Sequence, residues 1–351
     1  MVAAGGVKCW GANSSGQLGD GTNVNRNTPV NVSGLSEGVA AIAAGAEHTC
    51  ALTTGGAMGC WGANFSGQLG DGAYINRNTP VNVSGLSGGV TAIAAGSEHT
   101  CAVVAGRLKC WGANSSGQLG DGTNEKRNTP VNVFGPSGGV TAIAAGSEHT
   151  CVLTAGGTIR CWGANSSGQI GDGTNVNRNT PVNVSGLSEG VAAIAAGAEH
   201  TCALTTGGAI WCWGANFFGQ LGDGAYINRN TPVNVSGLSG GATEIAAGSE
   251  HICAVAAGGV KCWGANSSGQ LGDGTNVNRN TPVNAFGVSG GVIAIAAGSE
   301  HTCALTTGGA MGCWGANFSG QLGIGTNEKR NTLANVPGLP TVRPSVRVRM
   351  L

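Results

Sequence analysis

Charge is scarce in this sequence. Only 10% of its 351 residues are charged, and 17 basic residues balance 17 acidic ones. A nucleic-acid binder working through phosphate contacts carries a basic excess, so that class is excluded. Proline, phenylalanine and tyrosine are also few, at 10, 6 and 2 residues. With so little proline and no glycine at every third position, the chain is not collagen-like. No apolar run reaches the roughly 20 residues a membrane-spanning helix needs. No stretch shows an apolar stripe at helical spacing. Disorder is excluded in turn, because 41% of the residues are hydrophobic and the net charge is zero.

Glycine is what the chain has in excess. Its 66 residues far exceed the usual share of about 7%. Each glycine inside a helix costs about 1 kcal/mol, so a helical fold is excluded. Thirteen Cys and 8 Trp complete the unusual profile.

These residues recur at a fixed interval. Trp-Gly-Ala-Asn begins at Trp10, Trp61, Trp111, Trp162, Trp213, Trp263 and Trp314, always 50 or 51 residues apart. Ile-Ala-Ala-Gly begins at Ile42, Ile93, Ile143, Ile194, Ile245 and Ile295. Units therefore start near residues 38, 89, 139, 190, 241 and 291, after a partial unit over 5–37. In the unit over 38–88, four extended segments are expected at Val39–Ala44, His48–Thr53, Ala57–Gly62 and Thr79–Val83. Gly, Asn and Ser turns divide them, which is strand-and-turn chemistry. Four strands per unit of this length define a β-propeller. Ile-Ala-Ala-Gly, with its small side chains, belongs on the innermost strand near the axis. The stretch from Trp10 returns almost verbatim from Trp162, so blades were copied in a block.

The pattern Ala44-Gly45, His48-Thr49, Ala51-Leu52, Gly56, Trp61-Gly62, Asn64 and Gly67-Gln68-Leu69-Gly70 resembles the regulator-of-chromosome-condensation repeat. The resemblance recurs in every unit. It implies a seven-bladed propeller of four-stranded blades, all-β, closed by pairing between the chain ends. Here one blade is expected to be incomplete. The sequence enters at the third strand of a blade (Gly5 to Trp10) and leaves after a fourth, as in a fragment. The propeller is expected over 1–338. A non-repeat basic tail over 339–351, with Arg343, Arg347 and Arg349, is expected to lend a strand to the open blade.

Twelve cysteines fall into pairs flanking a hairpin turn: Cys50/Cys60, Cys101/Cys110, Cys151/Cys161, Cys202/Cys212, Cys253/Cys262 and Cys303/Cys313. A two-residue turn at Ala105-Gly106 sets Val103 opposite Leu108 and Cys101 opposite Cys110, with Cα atoms about 4.5 Å apart. That is within disulfide reach. Where the spacing is one residue longer, the turn Thr54-Gly55-Gly56 absorbs it and Cys50 still faces Cys60. Cys9 is left over, its partner belonging to the missing strand. Such bridges point to an oxidising compartment: extracellular, cell-surface or periplasmic. A metal reading, with His48, Cys50 and Cys60 on one side of the hairpin, offers three ligands where structural zinc takes four.

Strand direction sorts the loops. The turn before each His and the long loop after each Trp emerge at one end. That end collects Glu47/His48, Glu98/His99, Glu148/His149, Glu199/His200, Glu250/His251 and Glu300/His301, with Phe65, Phe217, Phe218, Phe318, Tyr74 and Tyr226. It is the expected recognition surface, with aromatics as anchors. A simpler role for each His is to fill its turn and bond a backbone carbonyl. Asp20, Asp71, Asp121, Asp172, Asp223 and Asp273 each precede an Arg by six residues and should close the loop as ion pairs; Ile324 breaks the series. No nucleophile–base pair stands out, and no cofactor is expected.

Three functions follow. The first is a non-enzymatic, extracytoplasmic protein-binding propeller, a monomeric disc or part of a longer chain, whose partner is an unidentified protein. The second is a structural array within a larger surface protein. The third, implied by the resemblance, is an intracellular guanine-nucleotide exchange regulator. That activity needs a wedge inserted outside the repeat, and none interrupts Trp10 to Trp314. Light-sensing relatives carry clustered Trp before His-Thr, where this chain has Ala46-Glu47 or Ser97-Glu98.

Overall fold

The computed structural model describes residues 2–339 except 4–5, 37, 138, 188–189, 239–240 and 289–290. Every regular element among them is a β-strand. In the unit over 38–88 the strands are Val39–Ala44, His48–Thr53, Met58–Gly62 and Arg77–Asn82, paired antiparallel in sequence order. Five more sheets repeat that plan. The first strands, such as Val39–Ala44, stand side by side around the axis. The fourth strand, Arg77–Asn82, lies at the outer edge, where Pro80 sacrifices no inner ladder bond.

The expectation of seven blades, one of them incomplete at the chain ends, is corrected to six four-stranded blades. The remaining sheet has three strands, Val2–Ala3, Gly6–Gly11 and Arg26–Asn31. The physical reason is the shortness of its first member: Val2 and Ala3 pair only with Val7 and Gly6. No first strand stands between Val292–Ala297 and Val39–Ala44 among the described residues. The tail Pro340–Leu351, expected to lend a strand, lies outside the described residues.

The hairpin registers follow the turn arithmetic. Val103 faces Leu108 and Cys101 faces Cys110, while Cys50 faces Cys60 across the longer turn. The two-residue turn places Ala105 at φ 48° and Gly106 at φ 76°, the left-handed pair that suits strand twist. All six expected disulfides are present: Cys50–Cys60, Cys101–Cys110, Cys151–Cys161, Cys202–Cys212, Cys253–Cys262 and Cys303–Cys313, each with Cα atoms 4.1 Å apart. That separation is slightly shorter than the 4.5 Å or so expected of a non-hydrogen-bonded pair. On the third strands Cys161, Cys212, Cys262 and Cys313 are fully buried. They lie in the cores between blades, so the bridges staple strands and present nothing to a partner.

The core lies between blades. Leu52, Met58, Leu69 and the Cys50–Cys60 bridge of one blade pack with Ile93, Ala102 and Trp111 of the next. The Trp of each complete blade is fully buried. Its indole Nε1 donates to a glutamine carbonyl in the preceding blade, as Trp111 does to Gln68 at 3.0 Å. The Thr100 hydroxyl donates to that same oxygen at 2.8 Å. Having spent its proton there, the hydroxyl accepts from His48 Nε2 at 2.9 Å. His48 is thereby fixed as the Nε2–H tautomer. Gly70 makes room for the indole: a Cβ there would sit 2.6 Å from Trp111 Nε1.

The same knot joins His99 to Thr150, His149 to Thr201 and His251 to Thr302. Between the blades of His200 and His251 it is broken. Ile252 replaces the threonine, and both ring nitrogens of His200 are left without a partner. Trp10 Nε1 to the Gln321 carbonyl, at 3.0 Å, carries the chain of contacts across the ends. Asn27 Nδ2 to the Gly325 carbonyl, at 3.2 Å, does the same farther out.

Thr100→Val keeps the shape but strands His48 Nε2 and removes one donor from the Gln68 carbonyl. It should cost about 1–3 kcal/mol, read as a lower urea midpoint with unchanged slope. A cost near zero would remove the knot from the account of stability.

Candidate functional site

One end of the disc carries both the turns before each His and the long loops after each Trp. The two are tied together: Ala63 N donates to the Glu47 carbonyl at 2.7 Å. Each long loop is built around a buried Asn. Asn64 Oδ1 accepts from Leu69 N at 3.0 Å, and its Nδ2 donates to Asp71 and to the carbonyls of Ala73 and Ile75. The expected ion pairs are formed, from Asp172–Arg178 at 2.7 Å to Asp121–Arg127 at 3.1 Å. In the last unit, where Ile324 stands, Arg330 meets the exposed Glu328 instead, at 3.6 Å.

Burial alone would raise the Asp20 carboxyl. The Thr22 hydroxyl and amide, Arg26 and Asn13 outweigh that and hold it below its ordinary value. Asp71, Asp121, Asp172 and Asp273 are held down in the same way.

The structure separates the residues expected to bind. His48, His99, His149, His200 and His251 are buried and His301 is half-buried. None of the five buried rings presents a surface to a partner. Their expected bond to a backbone carbonyl is also corrected: where Nε2 bonds, it reaches the threonine hydroxyl of the next blade, because the second strand of each blade packs against that next blade. Burial pushes His48 down to about 4 and His99 down to about 3. They are neutral structural groups.

Glu47, Glu98, Glu148, Glu199, Glu250 and Glu300 are exposed. All but Glu250 accept from a serine of the preceding long loop, as Glu98 does from Ser66 at 2.8 Å. At Glu250 that serine is replaced by Phe218. Burial, then the nearby Glu300 and Glu199, raise the Glu250 carboxyl.

The aromatics divide as well. Phe65, Phe217 and Phe318 are 69%, 67% and 71% exposed. Tyr74 and Tyr226 are exposed on the same loops, and Lys126 Nζ of the next blade sits 4.6 Å above the Tyr74 ring. Phe218 is half-buried and is not a free anchor. The sequence reading missed Ile75, Ile227, Phe134 and Phe286, all exposed. The two isoleucines follow the tyrosines directly. Phe134, within the longer fourth strand Arg127–Ser137, and Phe286, after the fourth strand Arg279–Asn284, take the place of Ser84, and that departure from the repeat was the available signal. The cysteines of the candidate metal set are oxidised to disulfides. Among the described residues no cluster of His, Cys, Asp or Glu is gathered to hold a metal.

The fold, the Trp–Gln junctions and the His-Thr spacing define a repeat propeller. The chain belongs to the regulator of chromosome condensation (RCC1) family: the RCC1-like domain matches residues 124–350, and the RCC1 repeat matches residues 4–52 and 56–103. It is 33% identical to the Arabidopsis thaliana ultraviolet-B receptor UVR8 over 68% of this chain and 56% of that protein. It is 34% identical to the Homo sapiens E3 ubiquitin-protein ligase HERC2 over 73% of this chain and 4% of that protein. The chain thus spans about half of one relative and a small part of the other. Among solved structures, human WBSCR16 superposes with a TM-score of 0.85 at 24% identity, covering 98% of this chain and 96% of that one. Yeast RCC1 in complex with Kap60 gives 0.83 at 22% identity over 95% and 84%. At those identities the likeness is one of fold.

Acid should weaken the disc in two stages. An unfolded histidine titrates near 6.5, whereas the buried ones resist protonation down to about 3–4. Their stabilising share is full above pH 6.5 and declines as pH falls toward the folded values. The depressed Asp carboxyls contribute above their unfolded value of 3.8 and lose that share as pH falls further. The thermal midpoint, followed by circular dichroism, should drop steadily from pH 7 to 5, before carboxylates titrate. A flat profile over that range would contradict the burial of the rings.

Proposed function

We propose that this chain is a non-enzymatic protein-binding propeller of an oxidising, extracytoplasmic compartment, and that it recognises its partner through the long-loop face. The observation that carries the reading is the exposure of Phe65, Phe217 and Phe318, each next to the buried Asn that locks its long loop, with an Asp–Arg pair closing the loops of Phe65 and Phe217 as well. Aromatic side chains held on rigid loops lose little entropy on binding and commonly anchor interfaces. The exposed Glu carboxylates supply polar contacts around them.

Six disulfides support the compartment. Each closes a loop of about ten residues and contributes roughly 2–3 kcal/mol, and reducing cytosol would not maintain them. This weighs against the intracellular exchange-factor reading, as does the uninterrupted repeat. The opposite end of the disc offers mainly glycine, serine and threonine turns, with two exposed aromatics, Phe134 and Phe286, against five on the long loops.

The triple variant Phe65→Ala, Phe217→Ala and Phe318→Ala should keep the wild-type thermal midpoint within about 1 °C, since the rings are solvent-facing. It should lose most of the partner captured by immobilised wild-type disc from the host's extracytoplasmic fraction, about tenfold or more. Equal capture by both proteins would refute the loop face as the recognition surface. Protein purified from its host without reductant should titrate with a single free thiol, Cys9. A count near thirteen would instead place it in a reducing compartment.

A further inference from the structure

A cavity of about 400 Å³ opens at the axis and runs sideways into the three-stranded sheet. Its walls there are Cys9 and Trp10, Thr49 of the following blade, and His301 and Gln321 of the preceding one. In the six complete blades the corresponding space holds a first strand and a second strand. Here Val2–Ala3 reaches no farther than Val7, so the edge from Cys9 to Gly11 faces the cavity without a strand partner on that side among the described residues. Trp10 is half-buried, whereas its six equivalents are sealed.

Four side chains around this space lack, among the described residues, the partner that the repeat supplies elsewhere. His301 meets no threonine, although His251 bonds Thr302 at 2.9 Å. Thr49 meets no histidine, although Thr100 bonds His48. Ser319 Oγ meets no glutamate, although Ser268 bonds Glu300 at 3.0 Å. Cys9 is the free cysteine. These absences describe one object, a segment reading Glu-His-Thr-Cys in that order. Val2 to Trp10 is identical to Val255 to Trp263, whose Cys262 is bonded to Cys253 of the second strand of that blade.

We propose that this cavity is a docking site for one more hairpin of the repeat's own first and second strands, of the type Ile-Ala-Ala-Gly-x-Glu-His-Thr-Cys-Ala, paired along Cys9–Gly11 and joined to Cys9 by a disulfide. Its Cys faces Cys9 as Cys50 faces Cys60. Its Thr takes the place between His301 Nε2 and the Gln321 carbonyl, its His reaches Thr49, and its Glu accepts from Ser319. Strand addition of this kind supplies affinity through main-chain bonds and register through side chains. A second copy is a poor occupant, because its six hairpins are already built into disulfide-closed blades. The tail Pro340–Leu351 contains neither Cys nor His.

The covalent step is thiol–disulfide exchange. The Cys9 thiolate attacks the cysteine sulfur of a hairpin carried as a mixed aryl disulfide; the new S–S bond forms and the aryl thiolate leaves with the electron pair. Burial raises the Cys9 thiol, so the reaction belongs at mildly alkaline pH.

The test uses the full chain and a synthetic peptide with the sequence of residues 39–51, its cysteine carried as the thionitrobenzoate disulfide. One peptide per chain should couple at Cys9, read by non-reducing intact mass, about tenfold or more faster than a scrambled peptide, because docking raises the effective concentration. The same peptide with serine for its cysteine should bind without coupling and raise the thermal midpoint. Cys9→Ser protein should lose the adduct and keep that shift. Equal rates for the native and scrambled peptides overturn the proposal. So does a chain ending at residue 339 that couples far faster than the full chain, which would make the tail the occupant. A stable dimer with Cys9 shielded from the peptide overturns it as well.

Discussion

One carbonyl oxygen per blade holds this ring together. The glutamine of Gly-Gln-Leu-Gly turns its backbone C=O toward the next blade, where an indole and a threonine hydroxyl both donate to it. A histidine of the glutamine's own blade then donates to that hydroxyl. Every member is buried, so each unmade bond carries the desolvation cost of a polar group in a dry place. The demands on sequence follow directly. The glycine that closes Gly-Gln-Leu-Gly must stay glycine because any Cβ collides with the indole, and a β-branched hydroxyl residue must follow the histidine.

Departures from the rule show what it does. At Ile252 the hydroxyl is gone and His200 is stranded, yet the blade still packs, because Trp263 keeps its bond to the Gln220 carbonyl at 3.0 Å. Packing and indole bond carry the junction, while the threonine adds polar satisfaction. Between the last blade and the three-stranded sheet the indole bond is all that remains of the knot among the described residues, and there the interior opens. Strand pairing within blades is supported differently, by disulfides across each hairpin. The disc thus has two independent fastenings, covalent within blades and hydrogen-bonded between them.

The sequence alone yielded the repeat, the hairpin registers, the cysteine pairing and the Asp–Arg loop closures. All of these depend on contacts between residues near in the chain, where turn length sets the geometry. It did not yield the partner of the histidines, because Thr100 lies 52 residues from His48 and their meeting depends on how two sheets stack. For the same reason Phe218 read as an anchor like Phe217, although the two project differently from the loop. Val2–Ala3 was missed because two residues carry no periodicity of their own. Phe134 and Phe286 were visible as departures from serine, but only their exposure gives them a place on the surface.

That division bears on how recognition and stability coexist in near-identical blades. The residues of the junction knot and the buried Asn recur almost without change from blade to blade, whereas the position after each Asn varies between Phe and Ser. A phenylalanine 67–71% exposed adds little to folding and is a solubility cost, so its presence there has no source in the packing of the disc. Phe65 and Phe318 stand on the two blades flanking the three-stranded sheet, and Phe217 stands across the ring. In the binding role proposed above, such an asymmetric set on a quasi-symmetric wheel would select one orientation of a partner among the equivalent ones that the repeat would otherwise offer.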